Sequence, residues 1–277
     1  NLNHITSHSL NKSLHQSTRE VSSILKYKSQ VEIPTLDMAS VWDWQSYGLK
    51  ENQQINKEQQ EKIQAELARR RFLEAYYIEK AGMTFAAKMS LLSESIDEQR
   101  LYSHFAMEEA THFDLIDKLL DGQDKIDGHD EFINFLNEVI ASGTRRPLIF
   151  IIQVVLEGWG IDHYGLMERT CNDMAVKSHL KNILKDEAAH HGSGISLFKE
   201  ADLTEAELTY TTEMMAEFLK MVRVGPVGQY RVISNEAPIL SSKDFKELSN
   251  AHKETQRKLN FLKSMMIKAG SKKILDR

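Results

Sequence analysis

Residues 109–112 read Glu-Ala-Thr-His, and residues 187–190 read Glu-Ala-Ala-His. Positions three apart lie on the same face of an α-helix, so the carboxylate and the imidazole of each string can bind one cation together. One such string is weak evidence, because an exposed Glu/His pair on a helix is usually only solvated surface. Here each string is preceded, thirty residues earlier, by another glutamate, Glu79 in the first case and Glu157 in the second.

The two sets form an internal repeat. Glu79 and Glu157 are 78 residues apart, and so are Glu109 and Glu187. The midpoints within each set fall beside Ser95 and at residues 172–173, where helix breaks are expected. Each arm then has 15 residues, about 22 Å of α-helix, so the chain leaves one ligand, turns and returns to the same level. The spacing therefore predicts two helical hairpins that each carry a Glu and a Glu-x-x-His.

Two packed hairpins of this kind would bring four carboxylates and two imidazoles to one layer of a bundle. Four unpaired acids in a protein core would be very costly, and two divalent cations would neutralise them. Oxygen and nitrogen donors without a thiolate suit iron or manganese better than structural zinc. The donor set thus predicts two divalent cations, with iron, manganese and a mixed iron and manganese pair all open.

At this point the chain resembles the ferritin-like di-iron carboxylate superfamily, in which two helices each supply one Glu and two others each supply Glu-x-x-His. The resemblance covers about residues 60–200. It implies a ferritin-like four-helix bundle in which Glu109 and Glu187 are the bridging, catalytic carboxylates. The metal ligands that it implies are Glu79, Glu109, His112, Glu157, Glu187 and His190.

Within that superfamily, the oxygenase and oxidase branches are the most similar. Residues 148–167 and 185–198 resemble helices of aldehyde-deformylating oxygenases, whereas residues 108–113 resemble the tRNA-hydroxylating branch equally well. The arylamine N-oxygenase branch has an extra histidine ligand that would fall near Ile183, where this chain has no imidazole. The choice between the first two branches stays open.

Other residues near the ligands have candidate roles. The resemblance implies that Glu108 and Asp186 each accept a hydrogen bond from the histidine of the opposite hairpin. Tyr164 follows Glu157 by seven residues and shares its helix face, so it could line a pocket, donate an electron or be an ordinary core tyrosine. Glu74 competes with Glu79 as the first ligand, but the equal 78-residue offset favours Glu79.

Composition supports an all-α fold and excludes several classes of protein. The 277 residues contain four prolines, and residues 35–146 and 148–225 contain none of them. A net charge of -5 leaves no basic surplus for binding nucleic acid. One cysteine excludes a disulfide framework and fits a reducing compartment, and no run approaches the roughly 20 apolar residues of a membrane span. We therefore expect a cytoplasmic protein, although a sequence that begins with Asn rather than Met is compatible with a trimmed leader.

The domain organisation predicted is a single domain in three parts. Residues 1–54, rich in Ser, Asn, His and Gln, would form a wrapping arm with one short helix around residues 19–27. Residues 55–200 would form the four-helix core with the two metals. Residues 201–277 would form C-terminal helices that pack on the core, interrupted at 225–228 by Gly-Pro-Val-Gly.

The function expected from the resemblance is a non-haem di-iron oxygenase or oxidase that uses O2 to hydroxylate, cleave or desaturate an organic substrate. Its expected partners are a small organic substrate, free or carrier-bound, and an external electron donor, and a homodimer is compatible with the sequence. The segments outside the core favour an oxygenase over a minimal storage bundle. The alternatives are a ferroxidase- or peroxidase-type iron-handling protein, a di-manganese catalase-like protein, and a metal-free interaction module.

Overall fold

A computed structural model describes residues 35–120, 131–224, 226–238, 243–244 and 251–275 of the chain. In these ranges every regular element is a helix, and Trp42 forms an isolated antiparallel β-bridge with Cys171. The predicted all-α fold class is confirmed for this part of the chain. The short helix predicted around residues 19–27 lies outside the described residues.

The first helix pair consists of α1 (Lys57–Leu92) and α2 (Ile96–Leu119). Asn56 starts α1 with a capping box, in which its side chain accepts from the backbone N–H of Gln59 and the Gln59 side chain accepts in return. Ser95 starts α2 by accepting from the N–H of Glu98, beside the predicted helix break. Only three residues separate the helices, so they run antiparallel and pack along their length.

The second helix pair begins with a helix in three consecutive parts: α4 (Arg145–Leu148), the π-helical segment π1 (Ile149–Leu156) and α5 (Glu157–Thr170). It ends with α6 (Met174–Leu197), whose first turn is capped by the Asp173 carboxylate. The sequence predicted one unbroken α-helix from about residue 147 to 170. In a stretch where nearly every side chain is apolar, the apolar pattern carries no period, so it cannot distinguish π-helix from α-helix.

The remaining described helices cover this framework. They are two 3₁₀ turns (Trp44–Tyr47 and Glu200–Asp202), α3 (Glu131–Ser142), α7 (Glu205–Val224), α8 (Pro226–Glu236), α9 (Ala251–Lys268) and α10 (Lys272–Leu275). The predicted interruption at residues 225–228 is wrong in part, because α8 begins at Pro226. Proline is tolerated at the first position of a helix, where its missing N–H would have no partner within the helix.

The core is centred on π1, which carries the most apolar sequence of the chain. Phe150, Ile151, Val154 and Val155 are fully buried there, and α7 and α9 pack against the same cluster. In the described ranges, no helix combines the length and the apolar character that crossing a membrane requires.

Residues 35–54 attach to both helix pairs through aromatic side chains. The Trp42 ring lies 5.0 Å from that of Phe72 on α1, and its indole N–H donates to the carbonyl of Met167 on α5. Trp44 closes its own loop by donating to the carbonyl of Lys50. Because Trp42 has no exposed surface, it fastens the end of α5 to the first half of α1.

Candidate metal centre

Six ionisable side chains from four helices converge between the two helix pairs. Two groups of four each place one ligand atom per residue within 4.8 Å of the others. The first group is Glu79, Glu109, His112 and Glu187, and the second is Glu109, Glu157, Glu187 and His190. Glu109 and Glu187 belong to both groups, so the geometry is compatible with two adjacent cations that share two carboxylates.

These side chains are shielded from solvent. Five of the six have 4% or less of their surface exposed, and Glu157 alone is half-buried. Of the two candidates for the first ligand, Glu79 is 1% exposed and belongs to the cluster, whereas Glu74 is exposed. His163 and His191, which neighbour the ligands in sequence, belong to neither group.

The two histidines are held in the same way, each by an acid from the opposite helix pair. Nε2 of His112 lies 3.2 Å from Oδ2 of Asp186, and Nε2 of His190 lies 3.0 Å from Oε2 of Glu108. When Nε2 carries the proton that the acid accepts, Nδ1 presents its lone pair to the centre. The structure therefore places Glu108 and Asp186 where the resemblance implied.

The inward-facing atoms fit a cation. Nδ1 of His112, Nδ1 of His190 and Oε2 of Glu79 are buried without a hydrogen-bond partner. His112 Nδ1 is 3.3 Å from that Glu79 oxygen, and His190 Nδ1 is 3.1 Å from Oε1 of Glu109. Buried polar atoms are nearly always satisfied, and divalent cations between these nitrogens and carboxylates would satisfy all of them.

Without a cation, protons must balance the charge of the cluster. Burial, and then the charge of Glu187, raises the pKa of both Glu109 and Glu157 well above the ordinary glutamate value. Burial alone would lower the pKa of His112, but the nearby Glu187 carboxylate raises it to about 11. His190 behaves similarly beside Glu109, with a pKa of about 9. Any metal that binds must therefore displace protons.

Tyr164 is a direct neighbour of the cluster. It is fully buried on α5, and its hydroxyl donates to Oε1 of Glu79 across the two helix pairs. Burial, and then the Glu79 charge, raises its pKa well above 10. The neutral phenol therefore orients one oxygen of Glu79 and leaves the other free to face His112.

Glycines near the ligands give room to specific side chains. A Cβ at Gly82 would lie 2.2 Å from Oε2 of Glu109, and a Cβ at Gly158 would lie 2.3 Å from Sδ of Met265 on α9. At Gly160 the nearest atom would be Oε2 of Glu187 at 3.7 Å, an ordinary contact. The Glu109 carboxylate therefore uses the space at Gly82, and the Met265 thioether uses the space at Gly158.

Comparison with known proteins adds no identification. No protein-family model, curated protein or solved structure matches the chain. Inference about function therefore depends on the sequence pattern and the geometry of this centre.

Proposed function

We propose that the chain is a ferritin-like di-iron oxidoreductase that uses O2 to oxidise an organic substrate. The observation that carries the proposal is the pair of four-residue groups that share Glu109 and Glu187. One cation in each group would be bound by one histidine, one unshared glutamate and the two shared carboxylates. Such a donor set matches the di-metal carboxylate pattern of helical bundles.

The donor chemistry supports iron or manganese. The groups offer carboxylate oxygen and imidazole nitrogen and contain no thiolate, which disfavours the common structural zinc sites. Cys171, the only cysteine of the chain, lies at the end of α5, where its thiol contacts the carbonyl of Asp173. It therefore belongs to the turn before α6.

A pair of ferrous ions, when bound, supplies the electrons with which O2 is activated. The residues of the chain give this centre its shape and its charge. Four glutamates would offset the cationic charge, two of them, Glu109 and Glu187, being available to both cations. Glu108 and Asp186 keep the proton on Nε2 of each histidine, so that Nδ1 stays available.

Apolar packing around the ligands would exclude water, so that an oxidant reaches a substrate rather than solvent. The Phe105 ring lies 4.0 Å from the His190 ring, and Met265 covers Gly158 next to Glu157. This extra covering favours an oxygenase over an iron-storage bundle.

The proposal is tested by loading the metal-free protein with Fe(II) without oxygen, counting iron per chain, and then adding O2 with and without candidate organic substrates. We expect two irons per chain and an absorption change on O2 addition whose decay is accelerated by one substrate class. The matched control is Glu109→Ala, which lacks a shared carboxylate and should show neither result.

The same experiment separates the alternatives. Decay that no organic compound accelerates, with continued turnover of added Fe(II), would favour an iron-handling protein. Manganese as the metal retained through native purification, with peroxide disproportionation, would favour a catalase-like one. A wild-type chain that binds no metal would refute all three and leave the interaction module.

A further inference from the structure

Gln153 is the one polar side chain in the apolar segment π1, and it has no exposed surface. Each end of its amide is nevertheless used. Its Oε1 accepts from the hydroxyl of Tyr102 on α2 at 2.8 Å. Its Nε2 donates to the carbonyl oxygen of His190 at 3.0 Å and contacts Oγ of Ser193 at 2.5 Å. A buried amide with all its groups paired rigidifies and fixes the elements that it joins.

The position of Gln153 connects two proposed ligands of one metal. It precedes Glu157 by four residues on the same helix, and it holds the backbone of His190 on α6. Glu157 itself closes the last π-type hydrogen bond, from its N–H to the carbonyl of Ile152. A π-helical turn contains more residues than an α-helical turn. The direction in which the Glu157 side chain projects from the helix therefore depends on π1 staying π-helical.

Close packing at Gly194 reinforces the contact. A Cβ at Gly194 would lie 2.8 Å from Cγ of Gln153 and 3.0 Å from its backbone carbonyl carbon. The backbones of π1 and α6 therefore touch at this point, one turn from His190. No such amide exists in the first helix pair, where the residue 78 positions earlier is the buried Ala75.

We propose that Gln153 is a positioning residue for the cation bound by Glu109, Glu157, Glu187 and His190. By tying π1 to the carbonyl of His190, it sets the distance and direction between Glu157 and His190. The cation of the other group does not depend on it. This inference rests on the proposed di-metal centre, and its test measures metal affinity rather than turnover.

The test isolates each cation position with a background substitution. His112→Ala leaves the group that contains His190, and His190→Ala leaves the group that contains His112. Gln153→Met is then added to each background, and the metal-free proteins are titrated with Co(II), whose visible absorption reports binding. Loss of an outer partner of a metal ligand typically costs about 10–100-fold in affinity. We expect a loss of about that size in the His112→Ala background and less than about 3-fold in the His190→Ala background.

Two further variants separate positioning from general destabilisation. Gly194→Ala keeps every hydrogen-bonding group but pushes π1 away from α6, so it should weaken the same cation position. Glu98→Gln weakens the 2.7 Å ion pair between the buried Glu98 on α2 and Arg145 on α4, a contact in which α6 takes no part. It should lower the thermal midpoint of the metal-free protein without changing either affinity.

Each outcome decides one question. Equal losses at both positions, or none at either, for both Gln153→Met and Gly194→Ala would overturn the positioning role while leaving the di-metal centre intact. If Gln153→Met does not fold, the result for Gly194→Ala decides alone. If the wild-type chain binds no Co(II) and no Fe(II), the centre is refuted and the inference with it.

Discussion

The two helix pairs carry the same chemical pattern in different surroundings. Each has a glutamate, then an acid pair and a histidine, at a constant offset of 78 residues, and the offset extends to Gly82 and Gly160. The packing around them is not repeated. The counterparts of Gln153 and Tyr164 are the small residues Ala75 and Ala86. The candidate ligands and the acids that hold the two histidines are therefore repeated, whereas the positions of Gln153 and Tyr164 are occupied differently in the first pair.

The largest expected effect comes from removing a carboxylate that both groups share. Glu109→Ala and Glu187→Ala should leave folded proteins with fewer than two metals per chain, because each cation loses a ligand. Glu79→Ala and Glu157→Ala each affect one group and should retain more metal. Elemental analysis after anaerobic loading and gel filtration measures this, with circular dichroism as the check on folding. Two metals per chain in both shared-ligand variants would contradict the assignment.

The acids that hold the histidines should show a crossed pattern. Glu108→Ala should weaken the cation position that contains His190, and Asp186→Ala the position that contains His112, each by about 10–100-fold. The reason is that each acid fixes the imidazole of the opposite helix pair. Titration with Co(II) in single-position backgrounds measures it. Glu108→Gln, which keeps an acceptor, is the control and should lose less.

Gly82 and Gly160, which occupy equivalent positions in the two helix pairs, should respond differently to substitution by alanine. Gly82→Ala would place a methyl group against the Glu109 carboxylate, so metal affinity should fall. Gly160→Ala meets only an ordinary contact, and alanine in a helix is favoured over glycine by about 1 kcal/mol. We therefore expect Gly160→Ala to raise the unfolding free energy of the metal-free protein by up to about that amount. Urea denaturation checks it, and similar behaviour of the two variants would mean that the halves are equivalent here.

The smallest expected effect is that of replacing His163, a histidine of the second helix pair that has no equivalent in the first pair. Burial lowers its pKa below 6.5, and it faces Glu74 and Arg71 on α1, Lys258 on α9 and its neighbour Asp162. As the pH falls, the His163 imidazole is therefore protonated in the unfolded chain before it is protonated in the folded protein. The unfolding free energy decreases as the pH falls below about 6.5 toward the pKa of His163 in the folded protein.

His163→Gln should remove this loss, so the unfolding free energy of the metal-free variant should fall less steeply than that of the wild type between about pH 6.5 and pH 5.5. Denaturation curves at several pH values measure the difference. Parallel pH profiles for the two proteins would show that His163 does not contribute.

Much of this arrangement could be predicted from sequence because its signals are local or periodic. Ser95 and Asp173 cap helices through side chains that the sequence shows directly. The constant offset of 78 residues predicted that the six candidate ligands lie in one layer between the helices, and this prediction needed no information about packing. The resemblance also placed Glu108 and Asp186 opposite the correct histidines.

What could not be predicted depends on contacts between distant segments. The π-helical form of residues 149–156 has no signature in a uniformly apolar run, and it places Gln153 against α6. The fit of Gly82 to Glu109, and of Gly158 to Met265, requires the distance between helices. Metal identity and substrate stay predictions, since iron and manganese use the same donors.

Each group of four combines side chains from both helix pairs, and this has a consequence for biosynthesis. When residues 57–120 have left the ribosome, they carry Glu79, Glu109 and His112 of the first group. The fourth member of that group, Glu187, and the acid that holds His112, Asp186, come about 70 residues later in the chain. A nascent chain therefore cannot complete either of the two four-residue groups until its second half has docked. Metal uptake would then act as a late quality check, since only molecules with both halves assembled could retain the ions.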